Sequence, residues 1–183
     1  MLPILLALAF IILLLFVVIA GQPGEFAVSR WTRISAPPEQ VFPRVNELRN
    51  WEAWNPWGKL DPNYSITYDG PPAGVGASYA WTGNSKVGEG RNTVTASKPN
   101  DLVHFRLEFA KPMKATNIAE FTFQTDGAAT VVTWTMSGKN NFAGKLFGLV
   151  VNCDNMIGGQ FENGLAKMKS LVEAEAEKIT VHA

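Results

Sequence analysis

The sequence is poor in the residues that build catalytic and metal centres. Its 183 residues include one cysteine, Cys153, and two histidines, His104 and His182. A single cysteine excludes an internal disulfide, and no spacing of these residues matches a zinc motif. Acidic and basic residues balance at 16 each, so no basic field predicts nucleic-acid binding. We therefore predict no metal, no cofactor, no catalytic residue and no nucleic-acid partner.

The first 20 residues carry no charged side chain. Ile4 to Ala20 is an unbroken apolar run, which Gly21 and Pro23 end. About 20 apolar residues span a bilayer as a helix, so we predict a membrane anchor through residues 2–20. A cleaved signal peptide is the alternative, because Val18-Ile19-Ala20 offers modest or small residues for cleavage. The length of the run and the absence of Lys or Arg before it favour the anchor.

The sequence contains two opposing signals for the side of the membrane on which the remaining chain lies. Arg30 and Arg33 follow the apolar run, which by the positive-inside rule favours the cytoplasm. An apolar run that starts at the extreme N-terminus favours a signal-anchor that exports the domain. Our prediction leans to the second signal, a single-pass membrane protein with an extracytoplasmic (periplasmic) domain.

The remaining chain has the composition and length of one globular domain. We divide the sequence into an anchor or signal peptide at 1–21, a linker at 22–25, a domain at 26–178 and a tail at 179–183. Without residues 1–21, the domain is expected to be soluble and monomeric.

The first part of this domain predicts one strand and two short helices. Residues 26–35 alternate between apolar and polar side chains, as a half-buried strand does. Ala36-Pro37-Pro38-Glu39 then opens a helix, because proline is tolerated in the first turn, and Pro43 keeps that helix short or bent. A second short helix or turn carries Trp51, Trp54 and Trp57.

The rest of the domain predicts a meander of strands and a long helix. From residue 64 the pattern has a period of two, interrupted by turns rich in Gly, Pro, Asn and Asp. The predicted strands are 78–82, 90–97, 102–110, 115–125 and 130–139. Short links between strands favour antiparallel pairing. The last helix has Asp154 as its predicted N-cap and an apolar stripe that ends at about Glu177; the stripe is Ile157, Phe161, Leu165, Met168 and Val172.

These elements predict an α+β fold. A strongly curved antiparallel sheet of about six to seven strands wraps around the long C-terminal helix, because the concave face is the one place where the helix can bury its stripe. Such an arrangement commonly leaves a cavity between helix and sheet.

The local sequence also resembles a known superfamily. The segments that carry the resemblance are Ile34-Ser35-Ala36-Pro37-Pro38-Glu39-Gln40-Val41-Phe42, Trp51-Glu52-Ala53-Trp54-Asn55-Pro56-Trp57, Gly74-Val75-Gly76-Ala77-Ser78-Tyr79-Ala80-Trp81 and Gly88-Glu89-Gly90. With the closing helix, they resemble the helix-grip superfamily of START domains and birch-pollen-allergen-like proteins (SRPBCC), and within it the polyketide cyclase/dehydrase group. The resemblance covers roughly residues 26–175. It implies a helix-grip fold with a hydrophobic cavity for lipids, sterols, polyketides or other small apolar molecules, and only a minority of members are enzymes.

The candidate ligand site comes from the aromatic side chains and from strand parity. If Phe105 faces inward, the same parity on neighbouring strands places Asn92 and Asn117 in an apolar concavity, where each amide needs a partner, a water or a ligand group. Glycines in the last helix suggest either space for a ligand or close packing on the sheet. The predicted pocket residues are Trp54, Trp57, Tyr79, Trp81, Asn92, Phe105, Asn117, Phe121, Trp134, Phe161 and Gly164. His104, on the opposite parity, is expected to face solvent.

Three functions remain open at this point. The first is a noncatalytic module that binds a small hydrophobic or lipid-like ligand at the membrane. The second is an enzyme of the cyclase/dehydratase type, which the scarcity of acid–base groups disfavours. The third is an interaction domain whose core is filled.

Overall fold

Seven antiparallel strands form one sheet, in a computed structural model that describes residues 1–150 and 152–181. Strand β1 follows the N-terminal helix, and β2 to β7 form a continuous meander, giving the order β1-β7-β6-β5-β4-β3-β2. The predicted α+β architecture is therefore confirmed. The strands are β1 (Glu25–Ile34), β2 (Ser65–Asp69), β3 (Ser78–Thr82), β4 (Glu89–Lys98), β5 (Leu102–Lys111), β6 (Ala115–Asp126) and β7 (Ala129–Lys139).

The helices lie at the two ends of the chain and after β1. Pro43 divides the segment after β1 into two single-turn helices, as its missing amide and fixed φ require. The tryptophan-rich segment forms two 3₁₀ helices, Leu48–Ala53 and Trp57–Lys59. The α-helices are α1 (Leu2–Ala20), α2 (Pro38–Val41), α3 (Pro43–Asn46), α4 (Phe142–Val150) and α5 (Cys153–Val181).

Helix α5 packs on the concave face of the sheet with its apolar stripe buried. Phe161, Leu165, Met168 and Val172 are each at most 2% exposed. Polar contacts fix the helix along β1: Lys169 Nζ donates to the carbonyl of Arg33 at 2.8 Å. This burial confirms the predicted closing helix. An apolar stripe with a period of 3.6 residues has to be buried, and here it is buried against the sheet.

Two details of α5 differ from the sequence prediction. The helix begins at Cys153, and Asn152 Oδ1 accepts the amide of Asn155 at 3.0 Å, so Asn152 rather than Asp154 caps it. The Asp154 carboxylate, displaced into the first turn, contacts Arg30 instead. The helix also continues past the end of its apolar stripe to Val181. His182 and the side chain of Cys153 lie outside the described part of the structure.

The segment after α1 is held against the end of β7. The Asn140 amide donates to the carbonyl of Gly24 at 2.9 Å, and Asn140 Nδ2 donates to the carbonyl of Pro23 at 3.3 Å. Both bonds fix the exit of α1 next to the start of β1 and the end of β7. We call this end of the sheet the anchor end; the turns β3–β4 and β5–β6 share it, because antiparallel strands alternate direction.

Candidate functional site

The concave face is occupied by stacked aromatic rings. Trp134 on β7 lies between Phe161 of α5, at 4.0 Å between ring centroids and 11° between planes, and Phe121 of β6, at 4.7 Å and 28°. Trp54 and Trp57 meet Trp134 edge to face at 5.6 Å each. Offset stacks and edge-to-face pairs at these distances are the favourable geometries for aromatic side chains. The middle of the predicted cavity is therefore packed with side chains.

Trp51 is the hub of this cluster, which the sequence prediction left out of the pocket. Its ring contacts Trp54 at 4.7 Å, Phe105 at 5.3 Å and Phe121 at 5.6 Å. Its Nε1 donates to the carbonyl of Val45 at 2.8 Å. The signal available in the sequence was the spacing of three tryptophans, which the 3₁₀ turn converts into neighbouring rings.

The indole of Trp134 differs from those of the other buried tryptophans. Trp54 Nε1 donates to the carbonyl of Arg44 at 2.9 Å, and Trp81 Nε1 donates to that of Val87 at 3.3 Å. Trp134 Nε1 is buried and finds no hydrogen-bond acceptor among the described residues. A buried donor without an acceptor costs about 1–3 kcal/mol, so this nitrogen is a polar point in an otherwise apolar wall.

A row of side chains crosses the concave face nearer the anchor end. Strand register pairs Asn92 of β4 with Leu107 of β5, Leu107 with Asn117 of β6, and Asn117 with Gly138 of β7. Both asparagines are buried, and Leu107 between them is half-buried. A Cβ on Gly138 would collide with the Asn117 carboxamide, so glycine at this position makes room for that amide. We call Asn92, Leu107 and Asn117 the asparagine row.

Asn92 is incompletely satisfied in this row. Its Oδ1 is buried and accepts no hydrogen bond from the described residues. Tyr79, directly across on β3, shares a hydrogen bond with the Asn92 side chain. Burial raises the pKa of Tyr79, and the bond from Asn92 opposes part of that rise, so the phenol stays protonated at physiological pH. The row thus contains an unused acceptor, Asn92 Oδ1, next to the neutral hydroxyl of Tyr79.

The helix glycines serve close packing. A Cβ on Gly164 would lie 3.1 Å from Trp134 Cζ3 and 3.2 Å from Pro56 Cδ, and a Cβ on Gly158 would collide with the Arg30 guanidinium. Gly159 has nothing within 4 Å of its Cβ position. Of the two interpretations of these glycines, close helix–sheet packing therefore holds at Gly158 and Gly164.

Arg30 is a charged group on the concave face of β1, next to the start of α5. Its guanidinium contacts Asp154 at 2.8 Å and Glu162 at 2.7 Å. The hydrogen bond that Arg30 donates to Asp154 lowers the pKa of Asp154, and the same bond together with the one that Arg30 donates to Glu162 raises the pKa of Arg30. The alternation of β1 placed Arg30 on this face, but no local pattern indicated its partners on α5.

Other titratable groups lie outside the concavity. His104 faces outward on β5, where its Nε2 contacts the Glu120 carboxylate on β6. No three His, Cys, Asp or Glu side chains within 1–150 and 152–181 come together as a metal site would require.

Two surface depressions lie outside the aromatic interior. One of about 190 Å³ is bordered by the end of β2 and the following turn, and the other, of about 410 Å³, lies along β3, β4 and β5. Of the eleven predicted pocket residues, Trp81 alone borders either depression. Seven of the other ten lie in the aromatic cluster, Asn92 and Asn117 lie in the asparagine row, and Gly164 packs against Trp134.

Comparison with known proteins assigns the domain. Residues 25–173 match the family model described as polyketide cyclase/dehydrase and lipid transport. The chain belongs to this family. No curated protein matches the chain.

Solved structures share the fold at low sequence identity. Protein CV1439 from Chromobacterium violaceum aligns with a TM-score of 0.59 at 14% identity, over 83% of this chain and 99% of that one. Protein MLL2253 from Mesorhizobium loti aligns with a TM-score of 0.58 at 18% identity, over 81% and 98%. The Aha1 dimer from Colwellia psychrerythraea aligns with a TM-score of 0.55 at 18% identity, over 81% and 96%. At these identities the likeness concerns the helix-grip fold.

Helix α1 is a further candidate site, as a membrane segment. It is the one helix of the described residues that is long and apolar enough to cross a membrane, a property that a signal sequence shares. Its side chains are exposed along almost the whole length, Ile19 being the exception.

Proposed function

We propose that this protein is a membrane-anchored domain that binds a small, lipid-like apolar ligand in the concave face of its sheet. The family to which the chain belongs is described as polyketide cyclase/dehydrase and lipid transport, which supports a lipid-like ligand. The exposed apolar helix α1 supports the anchor, because an isolated helix of this composition is stable in lipid and not in water. The extracytoplasmic side remains a prediction of the N-terminal apolar run.

One observation carries the ligand proposal: the asparagine row has an unused polar group inside an apolar wall. Ligand pockets are lined mainly by apolar side chains and contain a few polar groups that orient the ligand. Asn92 Oδ1 lacks a donor, while Leu107 beside it is only half-buried. A ligand that covers Leu107 and donates to Asn92 would remove both defects.

The chemistry of this row suggests the class of ligand. A hydroxyl group both donates and accepts, so it satisfies the Asn92 carboxamide and reaches the Tyr79 phenol as a second partner. The rest of the ligand should be apolar, because the half-buried side chains on the same strand face, Leu107 across from Asn92 and Phe109 two residues further, are apolar. We propose an apolar alcohol or a lipid with a hydroxyl near its apolar body.

The test is to purify the full chain from its own host membranes and identify small molecules that co-purify, using organic extraction and mass spectrometry. We expect one compound enriched over bulk lipid. Asn92→Leu should reduce its amount about tenfold, the effect of losing one hydrogen bond worth about 1.4 kcal/mol. Folding should be affected little, because leucine has a similar volume and the loss of the Tyr79–Asn92 hydrogen bond is offset by removal of the unpaired Asn92 Oδ1.

The matched control is Asn163→Leu, at an exposed asparagine on α5, which should leave the co-purified compound unchanged. An enriched compound that survives Asn92→Leu would contradict the asparagine row as its site. Near-ultraviolet circular dichroism of each variant separates loss of the ligand from loss of the fold.

A second function is favoured by the aromatic packing itself. Ring centroids 4.0–6.1 Å apart join Trp57, Trp134 and Phe161 into a continuous cluster, which is how a filled core is built. A domain with such a core would act through its surface, as an interaction module. Purified protein with no enriched compound would favour this function over ligand binding.

A further inference from the structure

Helix α4 is apolar, but its large side chains are not buried in the core of the domain. The sequence Phe142-Ala-Gly-Lys-Leu-Phe-Gly-Leu-Val150 lies between β7 and α5. Leu146, Phe147 and Leu149 are 42%, 42% and 40% exposed. At 100° per residue the apolar side chains share one broad face, with Lys145 at its border and Gly148 opposite. This helix is too short to span a bilayer.

The position of α4 is set by contact with α1. Phe142 stacks on Phe16 of α1 with ring centroids 5.5 Å apart, and Lys145 Nζ donates to the carbonyl of Ala20 at 3.0 Å. Phe16 and Ala20 belong to the last turns of α1, next to the domain. If α1 crosses a bilayer, these two contacts hold α4 at the depth where the bilayer meets water.

The neighbouring turn carries the side chains expected at such a boundary. The turn β5–β6 reads Lys111-Pro112-Met113-Lys114 and lies at the anchor end. Met113 is exposed, and Lys114 and Lys139 have no ion pair within the described residues. Lys111 contacts Glu89 at 2.9 Å, and Glu25 lies across from Lys139 in the strand register, so the unpaired charge of Lys114, Lys139 and Glu25 at this end is net positive. Exposed lysines around an apolar tip fit the surface of a membrane that contains anionic lipids.

We propose that α4 and the Lys111–Lys114 turn form a second membrane contact, which lies in the headgroup region of an anionic bilayer and holds the anchor end against it. This proposal rests on the membrane anchor of the proposed function. The apolar face of α4 buries Leu146 and Phe147 in lipid, while Lys114 and Lys139 meet lipid phosphates. The half-buried side chains of Leu107 and Phe109 lie towards this end of the sheet, so in this orientation an apolar ligand exchanges with lipid rather than with water.

The experiment places a fluorescent label on α4 of the full chain in lipid vesicles. In a Cys153→Ser background, Leu146→Cys carries an NBD label, and the vesicles contain phosphatidylcholine with about a third phosphatidylglycerol. We expect blue-shifted NBD emission, quenching by nitroxide lipids and protection from iodide. The matched control is Gln124→Cys on β6, an exposed position near the opposite end of the sheet, where iodide should quench and nitroxide lipids should not.

Flotation after an alkaline wash separates failure of the anchor from failure of the second contact. Protein that does not float with the vesicles overturns the anchor and the second contact together. Protein that floats while iodide quenches the Leu146 label overturns the second contact alone. A label protected from both quenchers shows that protein rather than lipid covers α4, which also overturns it.

The lysines have their own arm in this experiment. The triple variant Lys111→Gln, Lys114→Gln and Lys139→Gln should float as well as the parent, because α1 is unchanged. Its Leu146 label should lose part of the blue shift in vesicles with phosphatidylglycerol and should respond no further when that lipid is left out. An unchanged blue shift in the triple variant would remove the lysines from the proposed contact.

Discussion

The aromatic interior and helix α4 use the same apolar residue types for opposite purposes. Away from the anchor, Phe121, Trp134 and Phe161 stack face to face and are at most 3% exposed. At the anchor end, Phe142 and Phe147 of α4 are half-exposed, and Phe142 stacks on Phe16 of α1. Buried rings stabilise a fold by themselves, whereas exposed apolar faces of this size require a partner. The difference separates the part of the molecule that makes the fold from the part that meets its surroundings.

The largest effect expected from this comparison is on the buried end. Trp134→Ala removes the central ring of the stack, and we expect the free energy of unfolding to fall by about 3–5 kcal/mol. The measurement is urea unfolding of the full chain in a mild detergent, followed by tryptophan fluorescence. The matched control is Trp31→Ala, on the outer face of the adjacent strand and 68% exposed, with an expected change within about 0.5 kcal/mol. Equal losses at both sites would show that the stack does not stabilise the fold.

The second prediction sharpens the assignment of the helix glycines. Gly164→Leu forces a branched side chain against Trp134 and Pro56, and overpacking of this kind costs about 1–3 kcal/mol. At Gly159, where a Cβ meets nothing, Gly159→Ala should instead stabilise α5 by up to about 1 kcal/mol, because alanine is the better helix former. Thermal unfolding of both variants in the same detergent measures the contrast. A neutral Gly164→Leu would mean that space exists between α5 and the sheet, as a cavity requires.

The sequence predicted the elements better than their contacts. Period-two alternation and the apolar stripe of α5 are local signals, so strands, turns and the closing helix followed from them. Helix α4 was missed because an apolar run of about ten residues suits a strand, a buried helix or an interfacial helix equally well.

Contacts between distant residues have no local signal. Strand parity was enough to place Asn92 and Asn117 inside the concavity. It could not show that Phe121 and Phe161 close over both faces of Trp134, because that depends on where α5 crosses the sheet. The same limit explains why Trp51 was left out of the pocket and why Gly164 was open to two interpretations. Family resemblance supplied the fold that joins these elements, but not the packing within it.

The smallest predicted effect concerns the charges at the border between the two ends. Arg30 on β1 holds Asp154 and Glu162 of α5, and its hydrogen bond lowers the pKa of Asp154. Because the folded pKa lies below the unfolded value of about 3.9, this group stabilises the fold above that pH, and the contribution is lost as the pH falls through the folded pKa. Asp154→Asn should therefore lower the stability slightly at neutral pH and leave it unchanged below the folded pKa, which flattens the acid side of the stability profile by that same small amount, since exposed ion pairs contribute little. Melting temperatures of the full chain in detergent, measured from neutral pH down to about pH 3, test this.

Arg30→Gln should flatten the same limb, and the double variant should flatten it no further, because both changes remove one interaction. If Asp154→Asn keeps the full acid slope, carboxylates elsewhere in the chain produce it, and the Arg30 contact does not couple α5 to β1.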